Sequence, residues 1–342
     1  MRIATLIEPK KIVLSEAPKP SARDNEVMIK VDYIGICGSD IHAYYGKHPF
    51  IDCPVTLGHE FVGRVVEVGQ SVKGVALGEL VTAMPQIFCR ECEQCKSDRY
   101  NICNTLQVIG CQTPGAACDY FCFDAALLKK IPDGMPAEIA ATIEPVAVGV
   151  HAVQRGEAVA GKNVVVLGAG TIGNVTAQAA MAKGAKSVLI TDLSDDRLAI
   201  AKSCGIANTA NTGKIALEQA IATAFEGEGA DIFFECVGIG ATVNQAIALS
   251  KKGRDIIVLG VFGNRPDIDM GLVQDKELRL IGSLMYMEKD YDETIDFMSK
   301  GIIDTKPMIS KIFHLNEYAN AFKYIEDNSE KSLKVLIKIA ES

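Results

Sequence analysis

A ten-residue segment, VVVLGAGTIG at positions 164 to 173, restricts the fold of this chain more than any other feature. An apolar run leads directly into Gly168, Gly170 and Gly173, which have the spacing G-x-G-x-x-G at the start of a helical pattern. The first glycine permits a tight turn, the second lets the backbone approach a pyrophosphate, and the third lets the helix pack against the strand. The segment therefore predicts a strand, turn and helix that bind a dinucleotide.

The same alternation of strand and helix continues after this segment. Apolar runs SVLITD, DIFFEC, DIIVLGVFG and ELRLIGS alternate with helical stretches such as Asp195 to Ser203. This pattern predicts a mostly parallel sheet with helices on both faces, a doubly wound α/β fold over residues 148–286.

The predicted cofactor site includes the three glycines, Ile172 between the last two, and Asp192 at the end of the next strand. Asp192 follows Gly173 by 19 residues, where a carboxylate accepts hydrogen bonds from the ribose hydroxyls and repels a 2′-phosphate. NAD is therefore favoured over NADP. Arg197 is a candidate phosphate contact, although a solvated helix residue explains it as well. A glycine turn that binds nothing is the alternative for the whole motif.

Short β-type runs, broken by Gly and Pro clusters, fill residues 1 to about 145. Examples are Glu26 to Gly35 and Phe61 to Val68, and they predict an antiparallel, barrel-like domain. Two helical stretches, near Asp292 to Ser299 and Glu317 to Asp327, and a strand over Lys334 to Ile339 are expected to rejoin it. The predicted domains are thus 1–147 with 287–342, and 148–286.

Composition excludes several classes of protein. The 342 residues suit two domains, and a net charge of -8 with dispersed Lys and Arg argues against nucleic-acid binding. No signal-like start and no run of 18 apolar residues occur, so we expect a cytoplasmic protein without a membrane segment. The cysteine count of 11 is odd, which favours metal binding over disulfides.

Four of these cysteines form a compact motif within FCRECEQCKSDRYNIC. Their spacing, C-x2-C-x2-C-x7-C, suits four thiolates around a structural zinc ion, which leaves no coordination position open for chemistry. Iron-sulfur ligation and unligated loop cysteines are the alternatives. The predicted ligands are Cys89, Cys92, Cys95 and Cys103.

A second candidate metal site is spread along the chain in GICGSDIHAYYG, GHEFVGRVVEVG and TIEPVAVGVHA. Cys37, His59 and a carboxylate from Glu60 or Glu144 make a mixed sulfur, nitrogen and oxygen set that leaves a position open for water or substrate. Each residue singly has an ordinary structural explanation. Together they predict a catalytic zinc.

These motifs, their order and their spacing resemble the zinc-containing medium-chain dehydrogenases over essentially the whole chain. The resemblance implies a GroES-like catalytic domain beside the dinucleotide-binding domain, with Cys37 and His59 on the catalytic zinc. Sorbitol dehydrogenase-like members use the glutamate after that histidine, which is Glu60 here. Alcohol dehydrogenases have a cysteine where this chain has Glu144, so we expect Glu60 to ligate with Glu144 close by.

Within the family, the chain is most similar to bacterial L-gulonate, L-galactonate and L-idonate 5-dehydrogenase-like proteins, through runs such as GICGSDIHAYYGKHPF and GHEF. The stretch TPGAAC at Thr113 to Cys118 departs from the usual Gly-Gly-Phe-Ala type, so a loop near the substrate is expected to differ. The other six cysteines have no partner at metal spacing and are interpreted as small apolar residues.

The resemblance also implies a proton relay. Ser39 and His42 match the family's hydroxyl and imidazole, and a histidine of ordinary pKa near ~6.5 suits proton release to solvent. Asp40 is expected to orient His59, because a zinc-bound imidazole usually donates its other N–H to a carboxylate or carbonyl. Tyr45, Lys47 and His48 are weaker candidates for contact with substrate hydroxyls or a carboxylate.

The expected function is zinc-dependent hydride transfer from a secondary alcohol of a polyol or sugar acid to NAD. Threonine, butanediol and galactitol-phosphate dehydrogenases of the same family remain alternatives, as does a nucleotide-binding module without turnover. By analogy with the family, a homodimer or homotetramer that pairs through ELRLIGSLM is expected.

Overall fold

The computed structural model describes residues 1–340, which form two compact units. The first comprises Met1–Glu144 and the chain from Ile309 onward, and the second comprises Pro145–Met308. Both the antiparallel and the parallel part of the predicted fold are confirmed.

The first unit is built mainly from β-strands. Its strands are β1 (Arg2–Glu8), β2 (Lys11–Glu16), β3 (Glu26–Ile36), β4 (Glu60–Val68), β5 (Leu80–Ala83), β6 (Gln86–Ile87), β7 (Gln107–Val108), β8 (Tyr120–Asp124), β9 (Leu128–Lys130), β16 (Ile309–His314) and β17 (Lys334–Lys338). Its helices are α1 (Gly38–Tyr44), α2 (Glu93–Lys96), α3 (Ala137–Ala140), α11 (Tyr318–Asp327) and 3-10 turns at Tyr100–Ile102, Ala125–Leu127 and Leu315–Glu317.

A seven-stranded sheet with the order β16-β17-β3-β4-β5-β9 organises this unit, and β8 also pairs with β3. Strand β3 is the centre of this sheet, because it pairs with β17, β4 and β8. Val27, Ile29 and Val31 are fully buried in the core that packs beneath the sheet. The C-terminal strand β17 pairs with β3 and so joins the end of the chain to its beginning.

The second unit is a doubly wound domain. Its strands are β10 (Asn163–Leu167), β11 (Ser187–Asp192), β12 (Asn208–Asn211), β13 (Ala230–Glu235), β14 (Ser250–Val258) and β15 (Arg279–Gly282). Its helices are α5 (Thr171–Ala182), α6 (Asp195–Ser203), α7 (Leu217–Ala224), α8 (Gly240–Leu249), α9 (Met270–Asp275), α10 (Glu288–Ser299) and a 3-10 turn at Lys306–Met308. Helix α4 (Ile143–Val153) begins in the first unit and continues into the second.

The six strands pair in the order β12-β11-β10-β13-β14-β15, and every pair is parallel. All five residues of the central strand β10 are buried, as a parallel strand covered by helices on both faces requires. The carboxyl ends of β10 and β11 meet at one edge of the sheet, where ligands bind in such folds.

Helix α10 packs within the second unit, whereas the sequence analysis assigned residues 287–308 to the first. The reason is polar pairing with helices of the second unit. Asp290 Oδ2 lies 2.6 Å from His151 Nδ1 on α4, and Glu293 accepts hydrogen bonds from Lys183 and Gln154. Both side chains of the His151–Asp290 pair are buried.

Among residues 1–340, no helix combines the length and apolar character that a membrane crossing requires.

Replacing Asp290 by Ala should reduce the free energy of unfolding by about 2–4 kcal/mol, because it leaves His151 Nδ1 and the Met287 N–H buried without an acceptor. Urea denaturation followed by circular dichroism measures the change. Asp296 on the same helix is half exposed and pairs with Lys300, so Asp296→Ala should cost only about 0.5 kcal/mol. Equal losses in the two variants would contradict the role assigned to the buried pair.

Candidate metal and cofactor sites

The four motif cysteines meet in a loop around α2. The Sγ–Sγ distances are 3.5 Å between Cys89 and Cys103, 3.8 Å between Cys92 and Cys103, and 3.9 Å between Cys89 and Cys95. Burial opposes ionisation of Cys103, but the backbone amides of Cys89 and Thr105 outweigh it and lower its pKa to about 6. Four sulfurs so close together fit a closed, tetrahedral zinc site.

A second cluster brings together Cys37, His59 and Glu60, whose donor atoms all lie within 4.8 Å of one another. Cys37 follows the end of β3 and is the N-cap residue of α1, while Glu60 is the first residue of β4. Because β3 and β4 are antiparallel and Gly35 pairs with Glu60, the sheet register carries the three side chains to one place. His59 and Glu60 are buried and Cys37 is half-buried.

Asp40 lies against this cluster from the first turn of α1. Its Oδ2 accepts a hydrogen bond of 2.9 Å from the Cys37 N–H, and its Oδ1 is 3.6 Å from His59 Nδ1. Neither Asp40 Oδ1 nor His59 Nδ1 has a hydrogen-bond partner within residues 1–340. Burial lowers the pKa of His59, but the Asp40 carboxylate and the Cys37 thiolate reverse this and hold it well above its usual value. The cluster therefore favours positive charge at its centre, as a zinc ion would supply.

Glu60 is held by a residue that the sequence analysis missed. Lys334 Nζ lies 2.6 Å from both carboxylate oxygens of Glu60 and 3.3 Å from the carbonyl oxygen of Ile36. Both side chains are buried, at 3% and 0% exposure. The only available signal in the sequence was a lysine at the start of the apolar strand KVLIK, 274 residues away from its partner.

Gly35 makes room for this carboxylate. A Cβ atom at position 35 would lie 2.0 Å from Glu60 Oε2, which is closer than any real contact. Glycine is therefore required here by close approach and not by backbone conformation.

Glu144, the other carboxylate considered from sequence, is buried near the start of α4 but is not part of the three-residue cluster. It acts on Lys334 instead. Burial lowers the pKa of Lys334, while Glu60, Cys37 and Glu144 raise it to a net value above the usual one. The structure thus brings Glu60, and not Glu144, within metal-ligand distance of Cys37 and His59.

The predicted relay residues lie on one helix. Ser39 is half-buried and His42 is exposed, and their spacing of three residues puts them on the same face of α1. In the following loop, His48 Nδ1 accepts a hydrogen bond from the Phe50 N–H, and burial, with His42 and His59 nearby, lowers the pKa of His48. Lys47 places its ammonium 5.8 Å from the ring centre of Tyr45.

Two further groups near the cluster escaped the sequence analysis. Tyr318, at the start of α11, has a buried hydroxyl without a hydrogen-bond partner in the described chain, and burial followed by the charges of Asp40 and Glu60 raises its pKa. Cys111, interpreted from sequence as a small apolar residue, forms a side-chain hydrogen bond with His59. Neither residue belongs to a sequence motif, so only the structure shows that they lie near the cluster.

In the second unit, the glycine segment forms the turn that its spacing predicts. Gly168 has φ +95°, and a Cβ atom on Gly173 would lie 1.8 Å from the carbonyl oxygen of Gly168. Gly170 is the N-cap residue of α5, and Ile172 is half-buried in its first turn. The first N–H groups of a helix have no partner within the helix, so this end suits an anionic group.

Asp192 ends β11 beside this turn. Its Oδ2 accepts a hydrogen bond of 2.8 Å from the Ala169 N–H, and its Oδ1 accepts one of 2.9 Å from the Ser194 N–H. The carboxylate therefore fixes the glycine turn to the start of α6. Arg197 Nη1 is 3.7 Å from Asp192 Oδ2, so the arginine is partly neutralised by the acid.

Comparison with known proteins agrees with this geometry. Residues 23–133 match the alcohol dehydrogenase GroES-like domain, and residues 171–300 match the zinc-binding dehydrogenase domain. An uncharacterised zinc-type alcohol dehydrogenase-like protein of Escherichia coli, YdjJ, is 35% identical over 97% of this chain and 96% of its own length. The chain belongs to the zinc-binding alcohol dehydrogenase family.

Other family members act on different alcohols. Sorbitol dehydrogenase of Bacillus subtilis is 31% identical over 98% of this chain and 97% of its own. D-arabitol-phosphate dehydrogenase of Enterococcus avium is 35% identical over 93% of this chain and 91% of its own. Membership of the family therefore establishes an oxidoreductase of the alcohol and polyol dehydrogenase type and leaves the substrate open.

Two solved structures of the family share this fold closely. An Escherichia coli oxidoreductase of unknown specificity superposes with a TM-score of 0.94 at 32% identity and covers 99% of both chains. An Escherichia coli alcohol dehydrogenase crystallised with NADH superposes with a TM-score of 0.92 at 28% identity, again over 99% of both chains. Such agreement over whole chains shows that this chain has the fold of the family.

Replacing Lys334 by Met should destabilise the zinc-free protein by about 3–5 kcal/mol, because it leaves the Glu60 carboxylate buried without its countercharge. The zinc-loaded protein should lose less, since a metal at Cys37 and His59 can take over the freed carboxylate. Thermal unfolding with and without zinc measures both changes. Lys338→Met, on the same strand, is the control and should behave alike in both states. An equal loss for K334M with and without zinc would exclude competition between Lys334 and the metal for Glu60.

Proposed function

We propose that this protein transfers a hydride from a secondary alcohol of a polyol or sugar acid to NAD, with one zinc ion per chain in catalysis and a second in the cysteine lobe. The observation that carries the proposal is the group of Cys37, His59 and Glu60 with the buried Asp40 against it. Sulfur, nitrogen and oxygen donors of this kind suit a zinc ion with an open position, which is the arrangement of catalytic zinc sites.

When bound, the zinc supplies a Lewis acid that stabilises an alkoxide, and NAD supplies the hydride acceptor. Residues of the chain would hold the metal, orient its ligand and move the proton. Cys37 and His59 would hold the metal, and the Asp40 carboxylate, whose Oδ1 is 3.6 Å from His59 Nδ1, would orient the imidazole. Ser39, half-buried two residues after Cys37, would accept the proton of the alcohol while its own hydroxyl proton passes toward His42 on the same helix face, and the exposed His42 would release a proton to solvent.

The carboxylate of Glu60 has two roles available. It balances the buried ammonium of Lys334, and one of its oxygens lies within 4.8 Å of the donor atoms of Cys37 and His59. Glu144 is the alternative third ligand, and its closeness to Lys334 supports a role in the same charge network.

NAD is the proposed acceptor because Asp192 stands at the end of β11, where the adenosine ribose binds in doubly wound folds. A 2′-phosphate would meet this carboxylate as a like charge. Related structures were crystallised with NADH in one case and with NADP in another, so the preference for NAD rests on Asp192. Arg197 would favour NADP, but its charge is already partly balanced by Asp192.

Two kinds of alternative are separated by simple measurements. Threonine, butanediol and sugar-alcohol-phosphate dehydrogenases share the same chemistry, so a selective signal on one of these substrates would replace the proposed substrate class. A nucleotide-binding protein without turnover would bind NAD but need only the zinc of the cysteine lobe.

The test is NADH formation by zinc-loaded protein on hexitols, hexonates, vicinal diols and L-threonine, with NAD and NADP compared. Wild-type protein should contain about two zinc ions per chain, and Cys37→Ser should contain about one and lose activity by about 100-fold or more. Cys204→Ser changes a buried thiol outside both clusters and should keep both properties. Full activity in the Cys37 variant would overturn the proposed role of this cluster.

We further propose that the protein is a homodimer or homotetramer that pairs through the edge strand β15. This strand has a free side in the sheet order, and Leu280 and Leu284 are exposed on or beside it. Light scattering coupled to gel filtration measures the mass, and Leu280→Asp should shift it to that of a monomer. A wild-type protein that is monomeric at micromolar concentration would contradict the proposal.

A further inference from the structure

A cavity of about 470 Å³ opens in the first unit beside the candidate zinc cluster. Its wall consists of Thr5 on β1, the loop from Phe50 to Thr56, and the loop from Cys111 to Pro114. Gln112 joins the two loops, because its amide nitrogen donates to the carbonyl oxygen of Phe50 and its amide oxygen accepts from the Val108 N–H, each at 2.9 Å. The cavity is therefore formed by segments that are fixed to each other.

The cavity wall and the metal cluster share structure. The loop that carries Cys111 packs on the backbone before His59, so closely that a Cβ atom on Gly110 would lie 2.9 Å from the carbonyl carbon of Gly58 and 3.1 Å from the His59 nitrogen. The thiol of Cys111 hydrogen-bonds the His59 side chain. A substrate with one hydroxyl at the cluster therefore has this cavity within reach of the rest of its chain.

Neutral hydrogen-bonding groups and apolar groups share the lining. The hydroxyls of Thr5 and Thr56 are 3.4 Å apart, and the buried Thr113 hydroxyl has no hydrogen-bond partner elsewhere in residues 1–340. Hydroxyl groups both donate and accept, so they match the hydroxyls of a polyol. These hydroxyls therefore offer hydrogen-bond partners to a chain of alcohol groups.

The charge of the cavity lining is negative. Asp52 is its single ionisable carboxylate, and among the described residues that line the cavity there is no lysine, arginine or histidine. Carboxylate and phosphate groups are bound in proteins mainly by arginine, lysine or clustered backbone N–H groups. An anionic substrate group in this cavity would instead meet a like charge.

We propose that the cavity receives the hydroxylated chain of an uncharged polyol and that Asp52 selects against sugar acids and sugar phosphates. The proposal rests on the proposed function and narrows its substrate class. It separates this chain from the relative that acts on D-arabitol phosphate, although the two share the family chemistry.

The test compares a hexitol, the corresponding hexonate and the hexitol phosphate as substrates of the zinc-loaded enzyme with NAD. Wild-type kcat/KM should be highest for the hexitol. Asp52→Asn should raise the relative kcat/KM of the two anions by about threefold to tenfold, and Asp52→Lys by about tenfold to a hundredfold, mainly through KM. Asp133→Asn and Asp133→Lys change an exposed acid outside the cavity lining and should leave these ratios unchanged.

A second variant tests the neutral part of the lining. Thr113→Val keeps the shape of the side chain but removes its hydroxyl, and should lower kcat/KM for the hexitol by about threefold to tenfold. Oxidation of 2-propanol, which is too short to reach the cavity, should stay within about twofold of wild type. An equal loss on both alcohols would mean that Thr113 acts on the metal cluster or the fold, and would overturn its assignment to substrate.

The outcomes distinguish this inference from the proposed function. If the protein oxidises 2-propanol, the proposed function stands. The inference is then overturned if wild-type protein prefers the hexonate or the phosphate. It is also overturned if the kcat/KM ratios do not respond to Asp52→Lys. If no alcohol is oxidised, the proposed function fails, and calorimetric titration with the hexitol decides the cavity separately. Binding that Thr113→Val weakens would support the inference, and no binding would overturn it.

Discussion

The pairing of β3 with β4 is the interaction on which the candidate site depends. Cys37 and Glu60 are close because Gly35 and Glu60 are opposite residues in that antiparallel register. A shift of one residue would turn Glu60 to the other face of the sheet and separate the sulfur, nitrogen and oxygen donors. Gly35 permits this register, because a Cβ atom there would lie 2.0 Å from Glu60 Oε2.

The same register buries the Glu60 carboxylate, and a lysine on the C-terminal strand balances its charge. A fully buried carboxylate without a partner would be neutralised by a proton and would be a poor metal ligand. Lys334 supplies the countercharge from β17, which pairs with the other edge of β3. Closing the sheet with the end of the chain therefore serves stability and chemistry together, since the metal and Lys334 draw on the same carboxylate.

Sequence patterns predicted the elements whose signal is local. The strand SVLITD and the helix Asp195 to Ser203 agree with β11 and α6 at both ends, and both cysteine and glycine motifs fold as compact units. Such patterns do not predict contacts between segments that are distant in the sequence. Tertiary packing sets the positions of Lys334, Tyr318 and Cys111. Helix α10 joins the second unit through the buried His151–Asp290 pair, which hydrophobic periodicity does not predict.

The acidic residues next to the metal donors and the acid in the cavity wall carry charge of the same sign. Next to the metal donors, Asp40 and Glu60 accumulate negative charge, which favours a divalent cation and is balanced by Lys334 on the side of Glu60. Farther out, the cavity wall carries Asp52 and three threonine hydroxyls with no cation among them. In the proposed arrangement, the charge that disfavours anionic substrates in the cavity therefore has the same sign as the charge that favours a divalent cation at the cluster.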